Sequence, residues 1–453
     1  MSLNKRRSAR IVLVALTVLG ALSLAACAPG GSGGQAASTG KATTDVAGAG
    51  KVTLNVVDYE PSTGPLGIAL PTINALFEKK FPNVKVVRQT TDFSGWQTKS
   101  KLALSASSAP CVAEGGQGFS FDGPLVAAKL IRPLDDYAAL YGWTKSFRPS
   151  LLNQIRFDPR GKKFGSGELF GLSPSGEITG WYYNKKLLAQ IGGKVPATFD
   201  ELQKLLSTAA AAGVQPILLG DVEKWPASHI LSNIASANLP SSDVFNLVFG
   251  DPATKWSTPQ WGNALGIMKK WVDAGYIQPG WAGLSNDDSN AKFAAGGSLL
   301  TVGGTWINST LSDGLGDNLG WFITPNARNQ PASATGALSG PFHVTTACKI
   351  PDVAAAYLNF LISKSAQALV AAQQAIPSNL PSATLRGAGA NSTLEGFNGA
   401  LASGTLTPYL DWTTVKTGDV LFGGIQEVLA GQLSASDLLK QLDAERDSVA
   451  AAK

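Results

Sequence analysis

From Val52 onward, strand-like runs and amphipathic runs alternate, and that alternation limits which folds the chain can adopt. Val52, Leu54 and Val56 alternate as in a strand ending near Asp58. Ile73, Leu76, Phe77 and Phe81 repeat at helical spacing until Pro82 stops the helix. "VKVVRQT" is a second strand, and a short helix around Leu102 precedes "APCVAEGGQGF", a strand entering a glycine-rich loop. Thr198-Phe199-Asp200-Glu201 is a capping box whose helix ends at Gly213, and "VQPILLG" is a strand again. Gln260 to Ala274 carries Trp261, Leu265, Met268 and Val272 on one helical face. "SLLTVGGTW" and "GPFHVTTAC" are strands, and Asp352 is placed to cap a long helix through Ala372. Helices from Thr417 to Leu429 and from Ser436 onward close the chain. Such alternation predicts an α/β fold with mostly parallel sheets, which bind ligands at the carboxyl ends of their strands. About 400 residues are more than one core usually serves, so two lobes are expected.

The N-terminus carries an export signal. Lys5, Arg6, Arg7 and Arg10 precede an uncharged apolar run of 16 residues, Ile11 to Ala26. That is short of the ~20 residues of a membrane span and suits a secretory leader, which puts the mature chain outside the cytoplasm. It ends in Leu24-Ala25-Ala26-Cys27, which resembles the lipobox of bacterial lipoproteins. The resemblance implies cleavage after residue 26 and a lipid on Cys27, anchoring the chain to the outer face of the cell membrane. Residues 28–50 are small and polar and read as a tether. A G-x-S-x-G match at residues 30–34 lies inside this tether, without the strand-turn-helix of a hydrolase nucleophile. The formal charge of +5 falls to +1 without the four leader cations, so electrostatics make no case for nucleic acid.

Cys111 and Cys348 remain, either as a disulfide, favoured by an oxidising location, or as two buried thiols. With two histidines and no Cys-x-x-Cys or His-x-x-x-His spacing, neither a transition-metal site nor a cofactor is expected.

In "GLSPSGEITGWYYNKKLL", Glu177 interrupts an apolar strand between Gly176 and Gly180. An unpaired charge there is costly, so it serves a structural pair, acid catalysis or ligand binding. The segment "GELFGLSPSGEITGWYYNK" resembles the most recognisable stretch of the extracytoplasmic solute-binding proteins of carbohydrate ABC importers, the group that includes the maltodextrin binder. "FEKKFPNVKV", "VPATFDEL" and "KFAAGGSLLTVGGTW" resemble other segments of that family, in the same order. The resemblance covers Val52 to Val449. It implies a two-lobed periplasmic-binding-protein fold, a Venus-flytrap clamp with crossover hinge strands near Ser175 to Gly180 and Gly340 to Thr345.

Lobe 1 is expected over 51–176 plus 341–385, and lobe 2 over 177–340 plus 386–453. In the family an acid seven residues before the Asn of Tyr-Asn-Lys points into the cleft, which here is Glu177. The Gly-x-Trp tryptophan forms a sugar platform, which here is Trp306. Trp225 with Asp221, Trp412 with Asp411, and Trp96 are further candidates for ligand contact, because sugars present apolar ring faces and hydroxyl edges. Trp181, Trp261 and Trp271 lie in regular elements and are expected in the core. The family's usual acid after Pro110 is Cys111 here, and "EGGQGFSFD" replaces the maltodextrin contacts, with Glu114, Gln117 and Asp122 as substitutes. The implied function is sugar capture by a monomer for an ABC permease. The alternatives are a sensory or adhesive sugar-binding module, and a glycoside hydrolase pairing Glu177 with Asp221 or Asp411.

Overall fold

The computed structural model describes residues 41–326, 332–380 and 382–451. The leader, Cys27 and the tether as far as residue 40 lie outside the described residues. The remainder of the expected tether is not free chain. Val46 is buried, Asn83 donates its side-chain amide to the Val46 and Gly50 carbonyls at 2.9 Å, and the Thr43 amide donates to Asp352. Val46, an apolar side chain in an otherwise small and polar run, docks the segment on the first lobe.

Before the first crossing between lobes, the first sheet receives β1 (Val52–Asp58), β2 (Val84–Thr90), β3 (Val112–Glu114) and β4 (Gly171–Leu172), and Arg156–Phe157 pairs separately with Glu168–Leu169. The second lobe then holds β5 (Ser175–Asn184), β6 (Ile217–Leu218), β7 (Leu300–Gly304), β8 (Leu319–Phe322) and β9 (Ala334–Leu338). The chain returns in β10 (Phe342–Val344), and β11 (Ile376–Pro377) and β12 (Leu406–Thr407) follow. The first sheet has the order β2-β1-β3-β10-β4, and the second β12-β9-β5-β7-β6, with β8 and β11 also on β5.

The sheets are mixed, where the alternation predicted mostly parallel ones. β1 runs parallel to β2 and β3, but β10 is antiparallel to both β3 and β4. Likewise β7, β8, β9 and β11 all run antiparallel to β5. The direction follows from the crossings: β4 leaves the first sheet where β10 enters it, so the two point opposite ways, and β5 and β9 do the same in the second.

Helices cover the sheets. α1 (Pro65–Lys80) buries Ile73 and Phe77, and Phe77 meets Tyr357 and Phe360 edge-on. α2 (Phe93–Ser105) and α3 (Gly118–Ala127) flank the β3 end of that sheet. In the second lobe, α4 (Phe199–Ala211) is capped as its sequence predicts: Thr198 Oγ1 accepts from the Glu201 amide at 3.2 Å. Its Phe199 packs with Trp271 of α6 (Pro259–Asp273), after α5 (Pro226–Asn238), and Trp181 meets Trp271 edge-on. Trp181, Trp261 and Trp271 are all buried in this core.

The long helix expected through Ala372 is two helices, α7 (Pro351–Leu361) and α8 (Lys364–Ala372), bent by 53°. Ser363 restarts the backbone by capping the Ala366 amide. Pro351, not Asp352, opens α7, and the Asp352 carboxylate instead accepts from Tyr137 Oη at 2.7 Å. α9 (Thr417–Leu429) and α10 (Ala435–Ala451) end the chain on the second lobe.

Two short segments, Ser173–Pro174 and Ser339–Pro341, connect the sheets, slightly upstream of the expected hinge. Ser339 Oγ lies 2.8 Å from Ser173 Oγ and 2.5 Å from Ser175 Oγ, all buried, so the two crossings are pinned to each other. Cys111 and Cys348 form a disulfide, with Cα atoms 4.3 Å apart, flanking the antiparallel pair β3 and β10.

Candidate functional site

Strand ends and loops from both lobes meet at the seam beside the crossings. β5 places Glu177 there, buried with 9% of its surface exposed. Its Oε1 accepts from Gln117 Nε2 at 2.8 Å, and the same amide donates to the Leu338 carbonyl on β9. Gln117 sits on the β3–α3 turn at φ +75°, followed by Gly118 at φ +68°. A left-handed side-chain residue costs about 1 kcal/mol, and here it aims the amide at the second lobe. Burial pushes the Glu177 carboxyl up to about 7; Gln117 and Tyr409 pull it down, and the nearby Glu60 and Asp411 push it further up.

On the first-lobe side, Glu114 is 1% exposed at the end of β3. Its Oε2 accepts from the Tyr59 amide at 3.1 Å, no amide or hydroxyl donates to Oε1, and the carboxyl shares a side-chain hydrogen bond with Glu60. Burial and the adjacent Glu60 push the Glu114 carboxyl well up, and burial takes Glu60 to about 7. Such mutual repulsion favours one shared proton between the pair. Asp58 is held by Arg88, with contacts of 2.6 and 2.7 Å, and Tyr59 Oη donates to the Gly115 carbonyl at 2.9 Å.

An aromatic cluster forms the opposite wall. Trp306 and Trp225, both partly exposed, meet edge-on with centroids 6.1 Å apart. His229 touches both, at 5.5 and 5.3 Å, and Tyr409 at 5.6 Å, and Tyr409 continues to Trp412 at 5.2 Å. Burial pushes His229 down to about 3, so the ring is neutral at ordinary pH. The Trp306 ring folds back over Gly304, where a Cβ would stand 1.9 Å from it. Trp412 seats on Gly118 in the same manner, with 2.2 Å to the Cβ position, which joins the two lobes. Ser120 Oγ adds a 3.4 Å contact to Asp411 across the seam, and burial pushes Asp411 up to about 6.

Of the residues singled out in the sequence, the fold brings Glu177, Gln117, Glu114, Trp306, Trp225, Asp411 and Trp412 together at the seam. Asp221 and Trp96 do not face the seam. Asp221 is fully buried, with Oδ1 accepting from the Ala227 amide at 2.7 Å and Oδ2 from Gln426 at 2.9 Å. Both its oxygens serve the start of α5 and its contact to α9. Trp96 is buried under the β3 end, its indole donating to the Glu114 carbonyl at 2.7 Å. Asp122 is buried against His343 at 3.3 Å, beneath the loop. Among the described residues no group of three or more His, Cys, Asp or Glu is placed to hold a metal.

Sequence reasoning missed Tyr59, Glu60, His229 and Tyr409. Tyr59 and Glu60 directly follow the carboxyl end of β1, the position where such sheets place ligand contacts, so that signal was present. The arrangement offers carboxyl acceptors, a tyrosine hydroxyl and partly open indole faces, a set suited to a small, hydroxyl-rich ring.

The profile of bacterial extracellular solute-binding proteins matches residues 73–393. A multiple sugar-binding protein of Streptococcus mutans is 29% identical over 142 residues, 31% of this chain and 34% of that relative. An uncharacterised ABC transporter extracellular-binding protein of Pyrococcus horikoshii is 22% identical over 79% of this chain and 78% of its own length. Among solved structures, a chitin oligosaccharide binding protein superposes with a TM-score of 0.77 at 22% identity, covering 88% of this chain and 99% of that one.

Proposed function

This chain belongs to the bacterial extracellular solute-binding proteins, and we propose that it captures a carbohydrate between its lobes and delivers it to an ABC-type import permease. The observation that carries this reading is the contact of Gln117 with Glu177, made across the seam beside the wall of Trp225 and Trp306. A ring stacked on an indole and bonded to seam carboxyls joins groups from both lobes, so only the closed arrangement satisfies it. Turning a mostly open population into a mostly closed one takes about 5.5 kcal/mol of differential binding. One stacked ring and two or three charge-assisted hydrogen bonds supply that. The sugar-binding names of the Streptococcus relative and the chitin oligosaccharide binder agree with the site's chemistry.

The finer picture belongs to the same proposal. The jaws follow the expected division with shifted bounds: residues 51–174 plus 341–375 act as one and 175–340 plus 376–453 as the other, because Ile376–Pro377 pairs with the start of β5. The protein works as a monomer, held by a lipid on Cys27 at the outer face of the membrane. Such a tether raises its concentration at the permease. Its proposed role is binding without cleavage: Asp221 has both oxygens engaged and does not partner Glu177, and a search for cleavage products tests the remaining pairing with Asp411.

The test is a thermal-shift and calorimetry panel of mono- and oligosaccharides on the full-length chain in mild detergent. Saturable stabilisation by at least one sugar, recovered uncleaved after prolonged incubation and lost in Trp306→Ala, is expected. No heat and no shift with any carbohydrate overturns the reading, and cleavage products overturn binding without catalysis.

A further inference from the structure

Four carboxyl groups reach the seam from separate segments: Glu60 after β1, Glu114 on β3, Glu177 on β5 and Asp411 after β12. Among the described residues, none of the four takes part in an ion pair. Arg88 is held in a two-pronged grip by Asp58 and also donates to the Glu60 carbonyl, and its charge only partly offsets the upward push of burial on the Glu60 carboxyl. Glu114 Oε1, in a residue 1% exposed, is buried with no amide or hydroxyl donating to it, and the Glu114 carboxyl shares a side-chain hydrogen bond with Glu60. On the other side of the seam the buried Tyr409 hydroxyl hydrogen-bonds Glu177, so the partners of both buried glutamates carry no positive charge.

Buried carboxyls lacking a counter-charge are kept by protons or by a positively charged guest. A sugar acid or sugar phosphate adds repulsion. A neutral ring offers hydroxyl donors but no charge. An ammonium group offers three donors and a full positive charge, which matches acceptor-only oxygens such as Glu114 Oε1 and Glu177. The partly open Trp225 and Trp306 add cation–π attraction for the same group.

We propose that the seam recognises a protonated amine, and that the ligand is an amino sugar or a short oligomer of amino sugars. This rests on the carbohydrate reading and narrows it. As the ammonium enters, a proton held among the carboxyls leaves to solvent, so binding releases protons.

The experiment is calorimetry at pH 7 on the full-length chain with matched probes differing only at one ring position. Glucosamine and galactosamine, with their tetramers, are each compared with the N-acetylated and the hydroxyl counterparts. The amine member of at least one set is expected to bind about tenfold more tightly than its counterparts, the worth of one charge-assisted bond. Titration in two buffers of different ionisation enthalpy is expected to show net proton release for the amine. Equal or tighter binding of the acetylated or hydroxyl member in every set overturns the inference while leaving carbohydrate capture standing. Amine preference without proton release overturns the proposed exchange at the carboxyls. Absence of binding by every sugar in the panel overturns both readings.

Discussion

Gln117 donates its side-chain amide to Glu177 at 2.8 Å, joining the β3–α3 turn of one lobe to the central strand of the other. The donor is held in a left-handed backbone conformation, so the turn is shaped around this contact. Hydrogen bonds to ionisable groups contribute about 1.5–3 kcal/mol. Gln117→Leu is therefore expected to shift the unliganded protein toward the open form and to weaken ligand binding about tenfold or more. Small-angle scattering reads the first effect as a larger radius of gyration, and calorimetry the second. Unchanged scattering and affinity would show that the contact does not hold the lobes.

The seam carboxyls predict the pH dependence of stability. Glu177, Glu60 and Asp411 protonate at about 7, about 7 and about 6 in the folded protein, all above their ordinary values, chiefly because of burial. A carboxyl whose folded value is raised stabilises fully below its ordinary value, and that contribution is lost as pH climbs through the raised one. Stability is thus expected to fall between pH 5 and pH 8. His229 works the other way at the acid end: it is buried neutral, at about 3, so stability falls as pH drops below its ordinary 6.5. A melting maximum near pH 5 to 6 follows. Glu177→Gln should raise the melting point at pH 8 and flatten the decline, by up to about 3 kcal/mol. A melting point that climbs steadily from pH 5 to pH 8 would contradict this account.

Much of this was legible in the sequence because local rules acted alone. The capping box at Thr198, the strand into Gly304 and the core tryptophans 181, 261 and 271 all follow from spacing and periodicity. Glu177 stood out because an acid in an apolar strand needs a reason. The direction of Asp221 did not show, because loop acids read alike until the Ala227 amide and Gln426 are in place. The docking of residues 41–50 was hidden for a similar reason: a single valine gains its value only from the surface that receives it. Sheet direction was missed because it depends on where the chain crosses between lobes, which no window of neighbouring residues contains. Tyr59 and Tyr409 lie more than 300 residues apart, and only the fold brings them to one seam.

The Cys111–Cys348 disulfide closes a loop 237 residues long that contains the first excursion through the second sheet, β5 to β9. It binds β10, the returning strand, to β3, which it must find again after that excursion. Chain entropy for a loop of this size puts the stabilisation at about 5 kcal/mol. The double variant Cys111→Ala/Cys348→Ala, or thiol reduction of the native chain, is expected to lower the melting point by roughly 6 °C, the shift that such a loss makes in a chain of this size. Ligand affinity below the melting range should change little, because neither cysteine reaches the seam. Calorimetric melts with and without reductant decide it, and coincident melts would show that packing alone secures β10.

Gly304 and Trp306 supply a test of the indole wall that does not touch the indole itself. Gly304 ends β7, and a Cβ there would stand 1.9 Å from the Trp306 ring, too close for any real contact. Its backbone is extended rather than left-handed, so alanine is tolerated by the strand and the ring must move instead. Gly304→Ala should therefore reproduce most of the affinity loss of Trp306→Ala, about 1–2 kcal/mol for a displaced aromatic platform. The unliganded melting point should fall much less than after loss of a buried tryptophan, because Trp306 is only partly buried. Tryptophan fluorescence of Gly304→Ala would report the displaced ring directly, with emission moved to the red. If Gly304→Ala bound ligand as the native chain does while Trp306→Ala did not, the ring would be acting from some position other than the one that folds over Gly304.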